Sequence, residues 1–377
     1  GMDGQTGLLL VSASEANANM FYATRFGTSS TFIYLETAEE RLIVIGNLEI
    51  ERAREAADVD RILPLVQYWK MAQEKHQKPP GTEEVIDVLM RDLGLNRVIV
   101  PPDFSIKFAD GIRNYGHTVE VKLEPFFERR LAKDESEVAA VRETVHRTET
   151  AIEQAIDTIR MAHISATGVL ELDGEPLTSD RVRRSMHKYL IEHDCVASHS
   201  VVSCGPQTAL PHEEGHGPLY ANQPIIIDCN PRSASNGYYA DITRTVVRGT
   251  APTALQRQYE AVLDAQAFAH EMLKPGANGK EIHASVTEFL GARGYKTHQV
   301  DGTPQGFFHA TGHGFGVEAH ERPHFALKEE YAEVGNIVAV EPALYYSDTG
   351  GIRIEDDYLL TDDGAEQLTS IDKTLEV

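Results

Sequence analysis

Short apolar runs alternate with stretches of helical periodicity along the first third of the chain. Residues 31–35, 41–45 and 97–100 are largely Ile, Val, Leu and aromatic residues and predict strands. Pro101 and Pro102 close the last of these, and Pro79, Pro80 and Gly81 interrupt the helical segments before it. Strands alternating with helices over residues 7–126 predict an α/β unit. The texture then changes. Asp134 and Glu137 have the spacing of a helix-capping pair, and Val138, Val141, Val145, Ile152, Ile156 and Ile159 follow at helical intervals. A long amphipathic helix opening a second domain is the expectation. Leu255, Tyr259 and Val262 mark a further helix, stopped by Pro275 and Gly276. Ile282, Val286, Phe289 and Leu290 mark another, stopped near Gly291 and Gly294. Strand-like runs lie between and after these helices, and the absence of an internal repeat excludes a solenoid.

With 377 residues, 41% hydrophobic and 25% charged, the chain has apolar material for two cores. Lysine and arginine number 35 against 58 aspartates and glutamates, a net charge of −23. That excess disfavours a nucleic-acid backbone or an anionic membrane as partner. No apolar run approaches the roughly 20 residues that span a bilayer. Residues 8–11 are too short for a secretory core and lack a basic flank, so the expectation is a cytoplasmic protein. Gly1 ahead of Met2 reads as a remnant of expression. Cys195, Cys204 and Cys229 have neither disulfide nor zinc-knuckle spacing and read as buried thiols.

The chemistry lies in separated segments of the last half. In Ile225-Ile226-Ile227-Asp228 a carboxylate ends an apolar run, which is costly unless a cation meets it. In Tyr239-Ala240-Asp241-Ile242-Thr243-Arg244-Thr245, strand alternation puts Asp241, Thr243 and Thr245 on one face. His309, His313 and His320 crowd a glycine-rich stretch. Two strand-like pieces, residues 336–342 and 351–356, embed Glu341 and Glu355 among apolar residues, with Arg353 on the face of Glu355. Singly, such residues are more often a cap, an ion-pair partner or a structural histidine than a ligand. Together, hard oxygens and one imidazole suit manganese, cobalt, iron or zinc, and bridging carboxylates suit two ions about 3.5–4 Å apart.

The order Asp228, Asp241, His313, Glu341, Glu355 stands inside Ala-Asp-Ile-Thr-Arg-Thr, His-x-x-Gly-His-Gly, Val-Glu-Pro and Gly-Ile-Arg-Ile-Glu-Asp. In this the chain closely resembles the pita-bread metallopeptidases, the group of aminopeptidase P, prolidase and methionine aminopeptidase. The resemblance runs from about Asp134 to the last residue. Ala18-Asn19-Met20-Phe21-Tyr22 and the preceding domain order look like the amino-terminal domain of creatinase and the proline peptidases. The implied architecture is α+β: a creatinase-like α/β domain over residues 1–129, then a pita-bread catalytic domain over 130–377.

The resemblance also implies roles. Asp228 binds one metal ion alone, Asp241 and Glu355 bridge both, and His313 with Glu341 completes the other. Two cations turn water into a nucleophile near neutral pH and polarise the scissile carbonyl. Glu341 is the implied proton shuttle. His212 and His320 are implied near the reacting end of the substrate, with His309, Tyr345 and Arg353 completing the substrate set. His309 and the extra domain favour proline specificity over methionine aminopeptidase. The implied reaction is removal of the N-terminal residue from peptides with proline second, by an Xaa-Pro aminopeptidase with two divalent ions, Mn2+ first and Co2+, Zn2+ or Fe2+ as alternatives. A homodimer is implied likewise. Xaa-Pro dipeptidase, methionine aminopeptidase and a non-catalytic pita-bread binding protein are the competing readings.

Departures from the pattern are local. The interval from Asp228 to Asp241 is longer than usual, with residues 231–235 as the expected extra turn, and Ala343 replaces a glycine common after Glu-Pro. Arg353 is expected either to orient a carboxylate or help close the site, or to make a plain internal ion pair. Many prolidases carry an arginine four residues after the histidine matching His320; here that residue is His324, with Arg322 nearby. A histidine lacks arginine's two-pronged donor, so a dipeptide's free carboxylate should be selected less strongly.

Overall fold

The structure, a computed structural model, describes residues 2–377; Gly1 lies outside the described residues. It divides into two compact units, Gly1–Arg130 and Leu131–Val377. The first is built on six strands, β1 (Thr6–Ser12), β2 (Phe32–Glu36), β3 (Arg41–Ile45), β4 (Arg61–Pro64), β5 (Arg97–Val100) and β6 (Thr118–Val121), in the order β4-β3-β2-β1-β5-β6. The β1–β2 and β2–β3 pairs are antiparallel; the β3–β4, β1–β5 and β5–β6 pairs are parallel. Residues 8–11, 32–35 and 42–45 of the central strands are unbroken apolar runs because both faces of the sheet are covered there. Leu9, Leu35 and Val44 face one core, with Ile86 and Leu89 of helix α2 (Thr82–Asp92). Leu10, Tyr34 and Ile43 face the other, with Met20 and Phe126. Pro79, Pro80 and Gly81 separate α2 from helix α1 (Leu65–His76).

The second unit opens with α3 (Glu135–Met161). Asp134 accepts from Glu137 N at 2.8 Å while the Glu137 carboxylate accepts from Asp134 N at 2.9 Å, so two orphan donors of the first turn are met reciprocally. Three antiparallel strands follow, β7 (Val201–Cys204), β8 (Ile225–Cys229) and β9 (Ile242–Val246). A five-stranded sheet has β10 (Gly312–Gly314), β11 (Glu321–Phe325), β12 (Ile337–Val340), β15 (Asp356–Leu360) and β16 (Ala365–Gln367) in the order β11-β10-β12-β15-β16. Between β12 and β15 the chain leaves the sheet to form the hairpin β13 (Ala343–Tyr346) and β14 (Gly350–Arg353). Helices α4 (Thr253–Met272) and α5 (Gly279–Ala292) pack Leu255, Val262, Ile282 and Val286 against Val338, Val340, Ile352 and Tyr358. Among the described residues no helix is long and apolar enough to cross a membrane.

Two local expectations change. Residues 351–356 are not one strand: the chain switches partners at Ile354 and Glu355, since β14 pairs with β13 whereas β15 pairs with β12. Residues 231–235 are more than an added turn. Arg232–Ser233 pairs with Cys195–Val196, and Arg232 also bridges to Tyr239, so the insertion is tied into its own small ladder.

Candidate metal centre

Strand register places the acidic residues side by side. Asp228 of β8 lies opposite Thr243 of β9, and Thr243 forms an isolated bridge with Glu355. The Thr243 hydroxyl donates to Glu355 Oε1 at 2.8 Å. On the other sheet, His313 of β10 pairs with Ala339 of β12, and Glu341 N donates to Thr311 O at 2.7 Å. The glycines flanking His313 allow this close approach. A Cβ on Gly312 would stand 2.2 Å from Ala339 O, and one on Gly314 would stand 2.3 Å from Arg322 O.

Asp241, His313 and Glu355, all buried, each offer a ligand atom, and these atoms lie within 4.8 Å of one another. His313 Nε2 is 3.3 Å from Asp241 Oδ2 and 3.7 Å from Glu341 Oε1. Its other nitrogen, Nδ1, donates to Gly314 O at 3.0 Å, which leaves an unprotonated Nε2 in the neutral ring. Buried His313 Nε2 and Glu355 Oε2 have no hydrogen-bond partner. A lone pair aimed at carboxylate oxygens is repulsive unless a cation sits between them. The carboxyl groups of Asp241, Glu341 and Glu355 are pushed well above their usual range, first by burial and then by one another and Asp228. The donor set therefore fits hard divalent ions.

Several groups fix these donors. Arg353, only 3% exposed at its side chain, donates through Nε and Nη2 to Asp228 Oδ2 at 3.2 and 2.8 Å and through Nη1 to the Tyr345 hydroxyl at 2.7 Å. It is thus an internal ion pair that also orients a candidate ligand. Arg244 is buried and donates to the carbonyls of Thr243, Glu355, Ile371 and Asp372 and to the Asp356 carboxylate. Asp357 Oδ2 accepts from Asp241 N at 3.1 Å. Sequence reading missed Asp357; its signal was only a second aspartate in a row, after Asp356.

The other candidate residues surround this cluster. His309 donates from Nδ1 to Ala310 O and accepts at Nε2 from the Tyr345 hydroxyl, both at 2.8 Å. Burial holds its pKa down at about 4, so it is a neutral ring with both nitrogens engaged. Tyr345 is fully buried, and Tyr345 and Arg353 stand behind the carboxylates with their polar atoms committed to protein partners. His320, an exposed residue, sets its ring against that of His313, with centroids 4.2 Å apart and the planes tilted by 48°. That covering, with the imidazoles of His313, His324 and His212, holds its pKa at about 4. His212 is on an exposed loop, close enough to bear electrostatically on both His309 and His320. Arg322 and His324 share one face of β11, since the buried residues alternate with them. Glu330 takes up both: its Oε2 accepts from His324 N at 2.7 Å and Nδ1 at 3.0 Å, and its Oε1 is 3.6 Å from Arg322 Nε.

Residues 139–362 match the model of metallopeptidase family M24. An uncharacterised peptidase of Bacillus subtilis is 36% identical over 177 residues, an alignment covering 46% of this chain and 47% of that one. The Xaa-Pro dipeptidase of Pyrococcus furiosus is 26% identical over 365 residues, covering 95% of this chain and 92% of the relative. Among solved structures, that of the X-Pro aminopeptidase from Thermotoga maritima matches with a TM-score of 0.81 at 22% identity, over 99% of this chain and 98% of that chain.

Proposed function

The chain belongs to metallopeptidase family M24, with its pita-bread fold, and from that premise we propose that it removes the N-terminal residue from peptides with proline in second place. The observation that carries the reading is the pair of orphaned buried atoms, His313 Nε2 and Glu355 Oε2, set among carboxylates. Asp228, Asp241, His313, Glu341 and Glu355 would hold two divalent ions, Mn2+ in our reading. Such ions supply the positive charge that makes water nucleophilic near neutral pH and polarises a carbonyl.

The chain's own residues do the rest. Gly314 O fixes the His313 ring, and Arg353 occupies Asp228 Oδ2, leaving Oδ1 for a ligand role. Glu341 takes the proton from the attacking water and returns it to the proline nitrogen as the carbon–nitrogen bond breaks. His320, at the rim against His313, donates to the developing oxyanion, and His212 and His309 line the substrate's path. Tyr345 and Arg353 act from behind as positioning residues. The catalytic work belongs to residues 130–377, with 1–129 as the amino-terminal domain; homodimeric assembly, implied by the resemblance, and a cytoplasmic location, expected from the short apolar runs, complete the proposal.

A second reading, Xaa-Pro dipeptidase, is supported by the name of the Pyrococcus relative. Glu330 favours the first, because its carboxylate offsets the Arg322 charge and takes up the His324 donors that would otherwise meet a dipeptide's terminus. Steady-state kinetics on Ala-Pro and Ala-Pro-Ala with added Mn2+ decide between them. The tripeptide should be cleaved at least as well; a strong preference for the dipeptide makes the enzyme a prolidase.

A further inference from the structure

Helix α4 buries two glutamines, Gln258 and Gln266, each 1% exposed, among Leu255, Tyr259, Ala261, Val262, Ala265 and Ala269. A buried amide is costly unless its donors and acceptor are met. Both are met in the same manner. Gln258 Nε2 donates to Leu344 O and Gly350 O, each at 3.0 Å, and its Oε1 accepts from the Thr349 hydroxyl at 2.6 Å. Gln266 Nε2 donates to Val340 O at 3.2 Å and Ile354 O at 3.3 Å, and its Oε1 accepts from Lys373 Nζ at 2.6 Å.

The Gln266 carbonyl partners belong to the residues immediately before Glu341 and Glu355. Val340 and Asp356 are the last opposed pair of the β12–β15 ladder, and beyond them the chain leaves for the β13–β14 hairpin. The two glutamates therefore stand where the ladder opens, and the Ile354 N to Pro342 O bond there is long, at 3.4 Å. One amide group spans the opening in place of ladder bonds. Lys373 sets its orientation. An ammonium only donates, so the amide oxygen turns to it and the NH2 turns to the carbonyls. Lys373 also pairs with Asp356 Oδ2 at 2.9 Å, on the residue next to Glu355.

We infer that Gln266, oriented by Lys373, is a positioning residue that sets the separation of Glu341 and Glu355 and hence the affinity of the centre for its ions. This rests on the metal-dependent function proposed above. The test is calorimetric titration of Mn2+ into metal-stripped protein, with the visible spectrum of the Co2+ form and the Tm of the metal-free form read in parallel. Gln266→Met keeps length and volume but loses the amide; Gln258→Met does the same where the anchored carbonyls belong to the hairpin. Gln266→Met should lower Mn2+ affinity by about 10- to 100-fold, as loss of a ligand-orienting contact does, and change the Co2+ spectrum. Gln258→Met should cost similar Tm but leave affinity and spectrum as in the wild type.

Lys373→Met, at a partly exposed side chain, releases the amide without opening the core and keeps the test intact if Gln266→Met fails to fold. It should weaken Mn2+ binding in the wild-type background and add little on top of Gln266→Met. Wild-type affinity in Lys373→Met, or equal behaviour of the two glutamine variants, overturns the inference. A wild-type protein that takes up no ion overturns the proposed function, and this assignment with it; ion uptake by the wild type with unaltered uptake by the Gln266 and Lys373 variants overturns this assignment alone.

Discussion

Glu355→Gln should stabilise the metal-free protein at high pH and destabilise the Mn2+-loaded one. The Asp241 and Glu355 ligand atoms lie within 4.8 Å of one another. At an effective dielectric of about 20, two full charges at that distance repel by roughly 3.5 kcal/mol. Glutamine removes the charge yet still accepts from the Thr243 hydroxyl, which is 2.8 Å from Glu355 Oε1. Burial and neighbouring carboxylates raise the folded pKa values of Asp241, Glu341 and Glu355 above their unfolded ones. Stability from the protonated cluster is thus full below the unfolded values near 4 and is lost as pH rises through the raised folded values. Metal-free wild type should lose Tm as pH rises from about 5 into the alkaline range, and Glu355→Gln should flatten that fall. At roughly 2–4 °C per kcal/mol for a unit of this size, full repulsion corresponds to at most about 7–14 °C. Thermal unfolding in chelator and in Mn2+ across that range reads both signs. A variant less stable than wild type in chelator at high pH, or a wild-type Tm that climbs with pH there, refutes the reasoning.

Other expectations are narrower. His313→Ala should lose bound metal, while His212→Ala, His309→Ala and His320→Ala keep it and lose turnover or raise KM; elemental analysis beside kinetics separates the groups, and equal metal loss in His320→Ala contradicts the assignment. Glu330→Gln should raise kcat/KM for Ala-Pro relative to Ala-Pro-Ala by unmasking Arg322 and His324; an unchanged ratio removes Glu330 from the specificity argument. In the first unit, burial would raise the pKa of Asp87, but hydrogen bonds from Lys75, His117 and Arg91 hold it at about 2. The stability it confers is present above about pH 4 and lost as pH falls toward 2. Asp87→Ala should cost about 3 kcal/mol near neutral pH and weaken the acid dependence, as denaturant melts at pH 7 and pH 3 would show.

Much of the fold was legible because local chemistry and tertiary structure agree. The Asp134–Glu137 capping box opens α3 where the spacing placed it, and Pro79 to Gly81 separates two helices. The split at Ile354 and Glu355 was not legible, because an apolar run does not reveal which strand it will pair with. The candidate site was legible as a set of residue types in order, but the closeness of Asp241, His313 and Glu355 comes from register between strands far apart in sequence. The supports were hardest to see. Gln266 looks like any polar residue on an amphipathic helix, and only the structure shows it facing carbonyls rather than water. Glu330 likewise reads as a surface charge until the backbone brings it to Arg322 and His324.

A metal-dependent Xaa-Pro aminopeptidase is tested most directly by incubating metal-stripped protein with Ala-Pro-Ala, with and without Mn2+, and identifying the products by mass. Release of alanine and Pro-Ala only when Mn2+ is restored, with no cleavage of Met-Ala-Ala under the same conditions, is the predicted result. Mn2+-loaded protein that leaves Ala-Pro-Ala intact, or that cleaves Met-Ala-Ala in preference, contradicts it.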